Sequence, residues 1–156
     1  MNTSASLERR GHRLLQFGIL LFLYSSLYGF AIPFLASPRI ALSVHTLSAL
    51  QAVMMLAIGL LWPKLTLGGG TSTTAFFTLV YSALAILAAY TIASIWGVGN
   101  ETISLMGELP HGLSHGTPFQ ESFIRFLAYS FAPTGLVSLA LILWGLRMQD
   151  RQATAK

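Results

Sequence analysis

The 156-residue chain contains no cysteine, which removes disulfides, thiolate catalysis, iron–sulfur clusters and cysteine-held zinc together. Charge is nearly as scarce: Asp, Glu, Lys and Arg make up 9% of the residues, against about 25% in an average soluble domain. With 54% hydrophobic residues and a mean hydropathy of +0.66, too few charges remain to clothe a water-facing surface. There is no G-x-x-x-x-G-K-[ST] loop and no G-x-G-x-x-G fingerprint, so neither common phosphate cradle is available. The pI of about 9.9 would ordinarily suggest nucleic acid. Here it comes from only nine Lys and Arg, placed beside the apolar segments, so membrane orientation explains it better and no nucleic-acid partner is expected.

What is present is apolar length. Four stretches, approximately 14–36, 40–62, 75–97 and 123–146, are each long enough to cross a bilayer as a helix, which satisfies every backbone polar group internally. None carries Asp or Glu, and only Arg125 interrupts the fourth, so paired-carboxylate catalysis and carboxylate proton relays are not expected. The same absence counts against the four-helix small multidrug exporters, whose transport depends on a membrane Glu in helix 1. The expected fold is all-α: an integral-membrane four-helix bundle forming a single transmembrane domain over 1–156. The first stretch is too long for a signal peptide, and Phe34 spoils a cleavage site before Ser37, so it reads as a retained helix.

Seven Lys and Arg (Arg9, Arg10, Arg13, Lys64, Arg147, Arg151 and Lys156) fall on one side of these spans, and Arg39 and Arg125 on the other. That bias places both termini in the cytoplasm, as a multi-pass protein of the cell inner membrane. Glu101, Glu108 and Glu121 then lie in a long external loop over Val98–Ser122, while Gly68-Gly69-Gly70 reads as a flexible turn between helices 2 and 3. Trp62, Trp96 and Trp144 each close a helix and read as interface anchors. Small residues at a four-residue spacing, Ala85, Ala89, Ala93 and Gly97, make a ridge on which helices can associate. Pro133 is expected to kink the fourth helix. A homo-oligomer, with a trimer as one option, is the expected assembly.

Histidine carries the chemical information. His45 lies inside helix 2, where an ionisable side chain is costly and faces protein more often than lipid. With Ser48, Gln51 and Met55 it forms one polar-to-soft stripe. A neutral imidazole at such a place is a common ligand of heme iron, with equal weight for a residue that only bonds a neighbouring helix. His111 and His115 sit in a Gly- and Pro-rich loop, where incidental solvated residues are favoured over a lid or a third metal ligand. Membrane tyrosines need a hydrogen-bond partner or a substrate; Tyr81 and Tyr90 lie on opposite faces, so at most one lines a given cavity.

Specific strings go further. Leu7-Glu-Arg-Arg-Gly-His-Arg-Leu-Leu14, Leu42-Ser-Val-His45, Gly59-Leu-Leu-Trp-Pro63, Ala93-Ser-Ile-Trp-Gly97, Phe126-Leu127 and Leu143-Trp-Gly-Leu146 resemble the hydroxylaminobenzene mutases in order and along nearly the whole chain. The resemblance implies a mutase that moves a hydroxyl from nitrogen to the ortho ring carbon, turning hydroxylaminobenzene into 2-aminophenol. The Gly-His before helix 1, and a His followed six residues later by an amide, are also similar to membrane styrene-oxide isomerases. There the helix-2 His ligates heme b, whose ferric iron acts as a Lewis acid. Carried over, His45 is the metal and cofactor ligand, Gln51 the substrate-facing amide and Tyr90 the substrate-facing phenol, with a small aromatic substrate arriving from the bilayer. Two positions depart from the pattern: Gln51-Ala52 replaces Asn followed by Gly, and Ile86 stands where an Asn is expected, so a smaller and less polar pocket is anticipated. An epoxide isomerase and a non-catalytic accessory bundle are the alternatives.

Overall fold

A computed structural model describes residues 3–99, 101–103 and 116–154, with side chains described over 4–148 of that set. Four helices result, α1 (Thr3–Ala31), α2 (Pro38–Leu61), α3 (Gly69–Trp96) and α4 (Pro118–Thr154), and there is no strand among the described residues. All four are long and apolar enough to cross a membrane. The ends are set by local chemistry. α1 runs into a 3-10 turn at Ile32–Phe34, where Pro33 removes a backbone donor. Pro38 opens α2 at a position whose N–H would have no helical partner, and Gly97 closes α3 in the left-handed region at φ 69°. α4 opens on a capping box that the sequence reading passed over. Thr117 Oγ1 accepts from the Gln120 backbone N–H at 3.3 Å, and Gln120 Oε1 accepts from that of Thr117 at 2.9 Å.

Several expectations change. α1 begins well before residue 14, and α3 starts at Gly69, so two glycines of the supposed flexible turn are its first residues. α4 begins at Pro118, which takes Glu121 out of the external loop, and it continues through Pro133 to Thr154. Trp62 is wholly buried and donates from Nε1 to Ser72 Oγ at 3.3 Å, so it is a core residue; Trp96 and Trp144 are exposed.

The helices pack as two antiparallel hairpins, α1 on α2 and α3 on α4, joined through a smaller α2–α3 contact. Within the first hairpin the backbones nearly touch: a Cβ on Gly11 would stand 2.8 Å from the Gly59 carbonyl oxygen. Arg10 bonds Gly69 O and Thr73 Oγ1, and Thr66 bonds Gly145 O, so the start of α1, the 62–70 turn and the later part of α4 share one end of the bundle. Arg125 and Glu101 form an ion pair at the other end. The main apolar core, with Leu14, Val44, Met55 and Trp62, lies between α1, α2 and α3. The small-residue ridge is buried within the chain, and its Ala93 packs with Ile40, Ile103 and Ile124. α4 leans on α3 and scarcely meets α2. The gap that this leaves is the main cavity.

Candidate active site

The cavity is a cleft of about 1060 Å³ between α2, α3 and α4. Its wall is almost entirely apolar, with Leu47, Leu50, Met54, Ile86, Leu136 and Leu139 among its lining residues, and it is open along the side between α2 and α4. About 150 Å³ is enough to hold benzene. Gln51 and Ile86, the two departures from the pattern, both line the cleft, and it still has room for a substituted ring.

Gln51 and Tyr90 share this cleft. The side chain of Gln51 is 7% exposed, and its Oε1 is buried with no hydrogen-bond partner among the described residues. Such an atom in apolar surroundings is costly and calls for a partner. Tyr90 is half-buried and its hydroxyl is likewise unpaired among the described residues. The antiparallel register, fixed by Ser37 N to Ser94 O and by Trp62 to Ser72, sets the two backbones roughly 10–15 Å apart along the bundle. Helical side chains lean toward the N-terminus of their own helix. On antiparallel α2 and α3 this tilts Gln51 and Tyr90 toward each other.

His45 is placed differently. It is not among the cleft-lining residues, because the stripe seen in the sequence divides. Gln51 lies about 120° round α2 from His45 and reaches the cleft, Ser48 and Met55 are buried in the core, and His45 turns to α1. There its Nδ1 stands 2.9 Å from the Ser25 carbonyl oxygen and 3.2 Å from Ser25 Oγ, which itself donates to His45 O at 2.8 Å. The carbonyl can only accept, so the proton belongs on Nδ1, and Nε2 keeps its lone pair. Gly29 gives the ring its space, since a Cβ there would lie 3.3 Å from Nδ1. An imidazole with Nδ1–H held by a backbone carbonyl is the arrangement of a metal-ligating histidine, so the donor present fits a heme iron, which it would hold through Nε2. Among the described residues no three His, Asp or Glu gather to hold a bare ion. His111 and His115 lie outside the described residues.

One polar residue was misplaced by the sequence reading. Glu121, assigned there to a solvated loop, is 4% exposed in the first turn of α4. Its Oε1 accepts from the backbone N–H of Gly99 at 2.9 Å and of Gly116 at 3.2 Å, while Oε2 is buried and unpaired among the described residues. Glu121 thus fastens the turn after α3 to the start of α4. That turn carries Thr102 and Ile103, which line one end of the cleft. Thr117-x-x-Gln120 immediately upstream was the signal that a helix starts here.

With this geometry in hand, the relatives become informative. The chain is 42% identical to the hydroxylaminobenzene mutase HabB of Ectopseudomonas oleovorans over 146 residues, which is 94% of this chain and 85% of that protein. It is 26% identical to the hydroxylaminobenzene mutase HabA of the same organism over 129 residues, covering 83% and 93% respectively. No solved structure matches it significantly. Residues 10–147, from the first buried turn of α1 to the later part of α4, match the styrene oxide isomerase family. A chain of this fold, with an apolar cleft between membrane-length helices, is an isomerase and belongs to the styrene oxide isomerase family.

Proposed function

We propose that the chain is a membrane mutase that converts hydroxylaminobenzene-type arylhydroxylamines into 2-aminophenols, in the cleft lined by Gln51 and Tyr90. The observation that carries this reading is the buried Oε1 of Gln51, unpaired among the described residues, in a largely apolar cleft that opens between α2 and α4. The name of the 42%-identical relative supports the substrate class. The reaction conserves the formula: an N–O bond breaks, a C–O bond forms at the ortho carbon, and the ortho proton is transferred to nitrogen. No cosubstrate is needed, so a site without Cys or a cleft-lining carboxylate is sufficient.

The residues divide the work. Apolar walls take the ring from the bilayer and exclude water. The Gln51 amide, which can both donate and accept, holds the hydroxylamino group, and the Tyr90 hydroxyl donates to the migrating oxygen. His45 Nε2 is the group suited to hold heme b, and a bound ferric iron supplies Lewis acidity toward the N–O oxygen. His45 and the cleft lie on different faces of α2. His45 would therefore hold the group away from its own cleft, and a homo-oligomer in the inner membrane, both termini cytoplasmic, is part of the proposal. An epoxide substrate is the second reading, favoured by the family match alone.

The test is to give the purified full chain, in lipid nanodiscs, hydroxylaminobenzene and styrene oxide separately and to resolve the products by chromatography. We expect 2-aminophenol, a heme Soret band that His45→Ala abolishes, and at least tenfold slower turnover in Gln51→Ala and Tyr90→Phe. Phenylacetaldehyde alone would favour the epoxide reading, and no product from a heme-loaded preparation would overturn both.

A further inference from the structure

Many hydroxyls of these helices share one habit. Ser43, Thr46, Ser48, Thr78, Ser130 and Thr134 each return a hydrogen bond to a carbonyl three or four residues back. This is the ordinary way to satisfy an O–H in an apolar helix. Ser82 and Ser138 do not: among the described residues Ser138 Oγ is buried without a partner, and the half-buried Ser82 makes no hydrogen bond. Ser138 does not line the cleft, whereas Ser82 does. The Ser82 hydroxyl is turned toward α4, where a Cβ on Gly135 would stand 2.8 Å from its Oγ. The same α2–α3 register sets Ser82 within about one turn of the level of Gln51, whose Oε1 is a buried unpaired atom of the cleft. Two polar side chains thus line one apolar cleft at one depth, neither with a hydrogen-bond partner among the described residues, and for the buried Gln51 Oε1 that is costly.

We propose that Gln51 and Ser82 form a two-point hydrogen-bonding station at the inner end of the cleft for the polar substituent of a small aromatic ring, with Gly135 keeping the Ser82 hydroxyl free. The substituent is one that donates and accepts at once: an aromatic amine, hydroxylamine or phenol. A hydroxyl can give a proton to the ligand's lone pair while the amide oxygen takes one from its N–H or O–H. An epoxide or a bare hydrocarbon satisfies at most one of the two. Gly135 matters because any side chain there displaces the Ser82 hydroxyl from its position. The rotamer then left to it bonds back to its own helix, as its neighbours do. Ser82 is accordingly a specificity-determining residue of the same site. The inference rests on the cleft being the substrate site.

The experiment reads binding of unreactive ligands, so it does not depend on turnover. The full-length protein, in detergent, is titrated with aniline and with toluene at matched free concentration, and thermal stabilisation is followed by Trp fluorescence. The wild type is expected to bind aniline more tightly than toluene. Ser82→Ala should weaken aniline about five- to tenfold, the value of one ordinary hydrogen bond, with toluene unchanged. Gly135→Ala should weaken aniline selectively as well, although it leaves Ser82 in the sequence. Wild-type preference for aniline that survives intact in both variants would overturn the role of Ser82 and leave the proposed reaction standing. A wild type that binds neither ring would overturn the role of Ser82 and the cleft as substrate site together.

Discussion

Removing the carboxylate of Glu121 should loosen one end of the cleft, and the size of the effect follows from its contacts. Oε1 accepts from two backbone N–H groups, at 2.9 Å from Gly99 and 3.2 Å from Gly116. Hydrogen bonds to a charged group contribute about 1.5–3 kcal/mol each, and an abandoned buried N–H costs about 1–3 kcal/mol. The bonds share one oxygen and Gly116 is only half-buried, so the lower bounds apply. Glu121→Ala should then cost about 3 kcal/mol, well above the centre of the mutational range. Glu121→Gln should cost about 1 kcal/mol or less. It keeps an acceptor at Oε1, loses the charge, and places an NH2 where Oε2 now has no partner. Unfolding of both variants in mixed micelles, followed by helicity, measures the difference. Activity measured alongside should show KM rising before kcat falls in the Ala variant, because Thr102 and Ile103 line the cleft without being reacting groups. If the Gln variant is as unstable as the Ala variant, the negative charge is what matters and the account from two backbone acceptors is wrong.

Two further outcomes are expected. Ser138→Ala removes a buried hydroxyl that has no partner and does not line the cleft, so it should stabilise the fold by about 1 kcal/mol with ligand affinity unchanged. A loss of stability there would mean that the hydroxyl is satisfied within the membrane. Co-expressing His45→Ala with Gln51→Ala should restore part of the activity that each variant lacks alone. In a mixed oligomer an intact His45 of one copy then meets an intact cleft of another, and no recovery would place both residues in one protomer's site.

The fold was legible because the bilayer imposes it. A backbone that must satisfy its own hydrogen bonds for about 30 Å can only be helical, and four apolar runs without carboxylates announce that directly. The ends were less legible. Gly69 and Gly70 look like a turn, yet they open α3 where nothing crowds them, and a glycine costs only about 1 kcal/mol inside a helix. Trp62 was assigned to the interface because it closes a helix. In three dimensions the Gly11–Gly59 contact draws α1 over that end of α2, and Trp62 becomes core. Glu121 illustrates the limit most clearly. Charge alone reads as solvated, and only the meeting of Gly99 and Gly116, residues far apart along the chain, makes a place where a carboxylate is better buried.

The candidate site shows the same division between what local pattern can tell and what tertiary contact decides. Gln51 and Tyr90 came from family resemblance, and the structure gives each a physical reason to be there: an unpaired polar group facing an apolar cleft. Ser82 had no such signal, because a serine in a helix is by default self-satisfied; its distinction appears only when Gly135 of α4 arrives opposite it. The single stripe of His45, Ser48, Gln51 and Met55 was correct as helical geometry. It misled as topology, because α2 is covered by α1 on one side and borders the cleft on another. A membrane helix has no water-facing side on which to place its polar residues, so they turn to whichever neighbour is at hand and one helix can serve two of them. His45 answers to the Ser25 carbonyl, and Gln51 to whatever enters the cleft. Under the proposed reaction, catalysis that needs both has to bring a second surface to His45, whose Nε2 has no partner among the described residues.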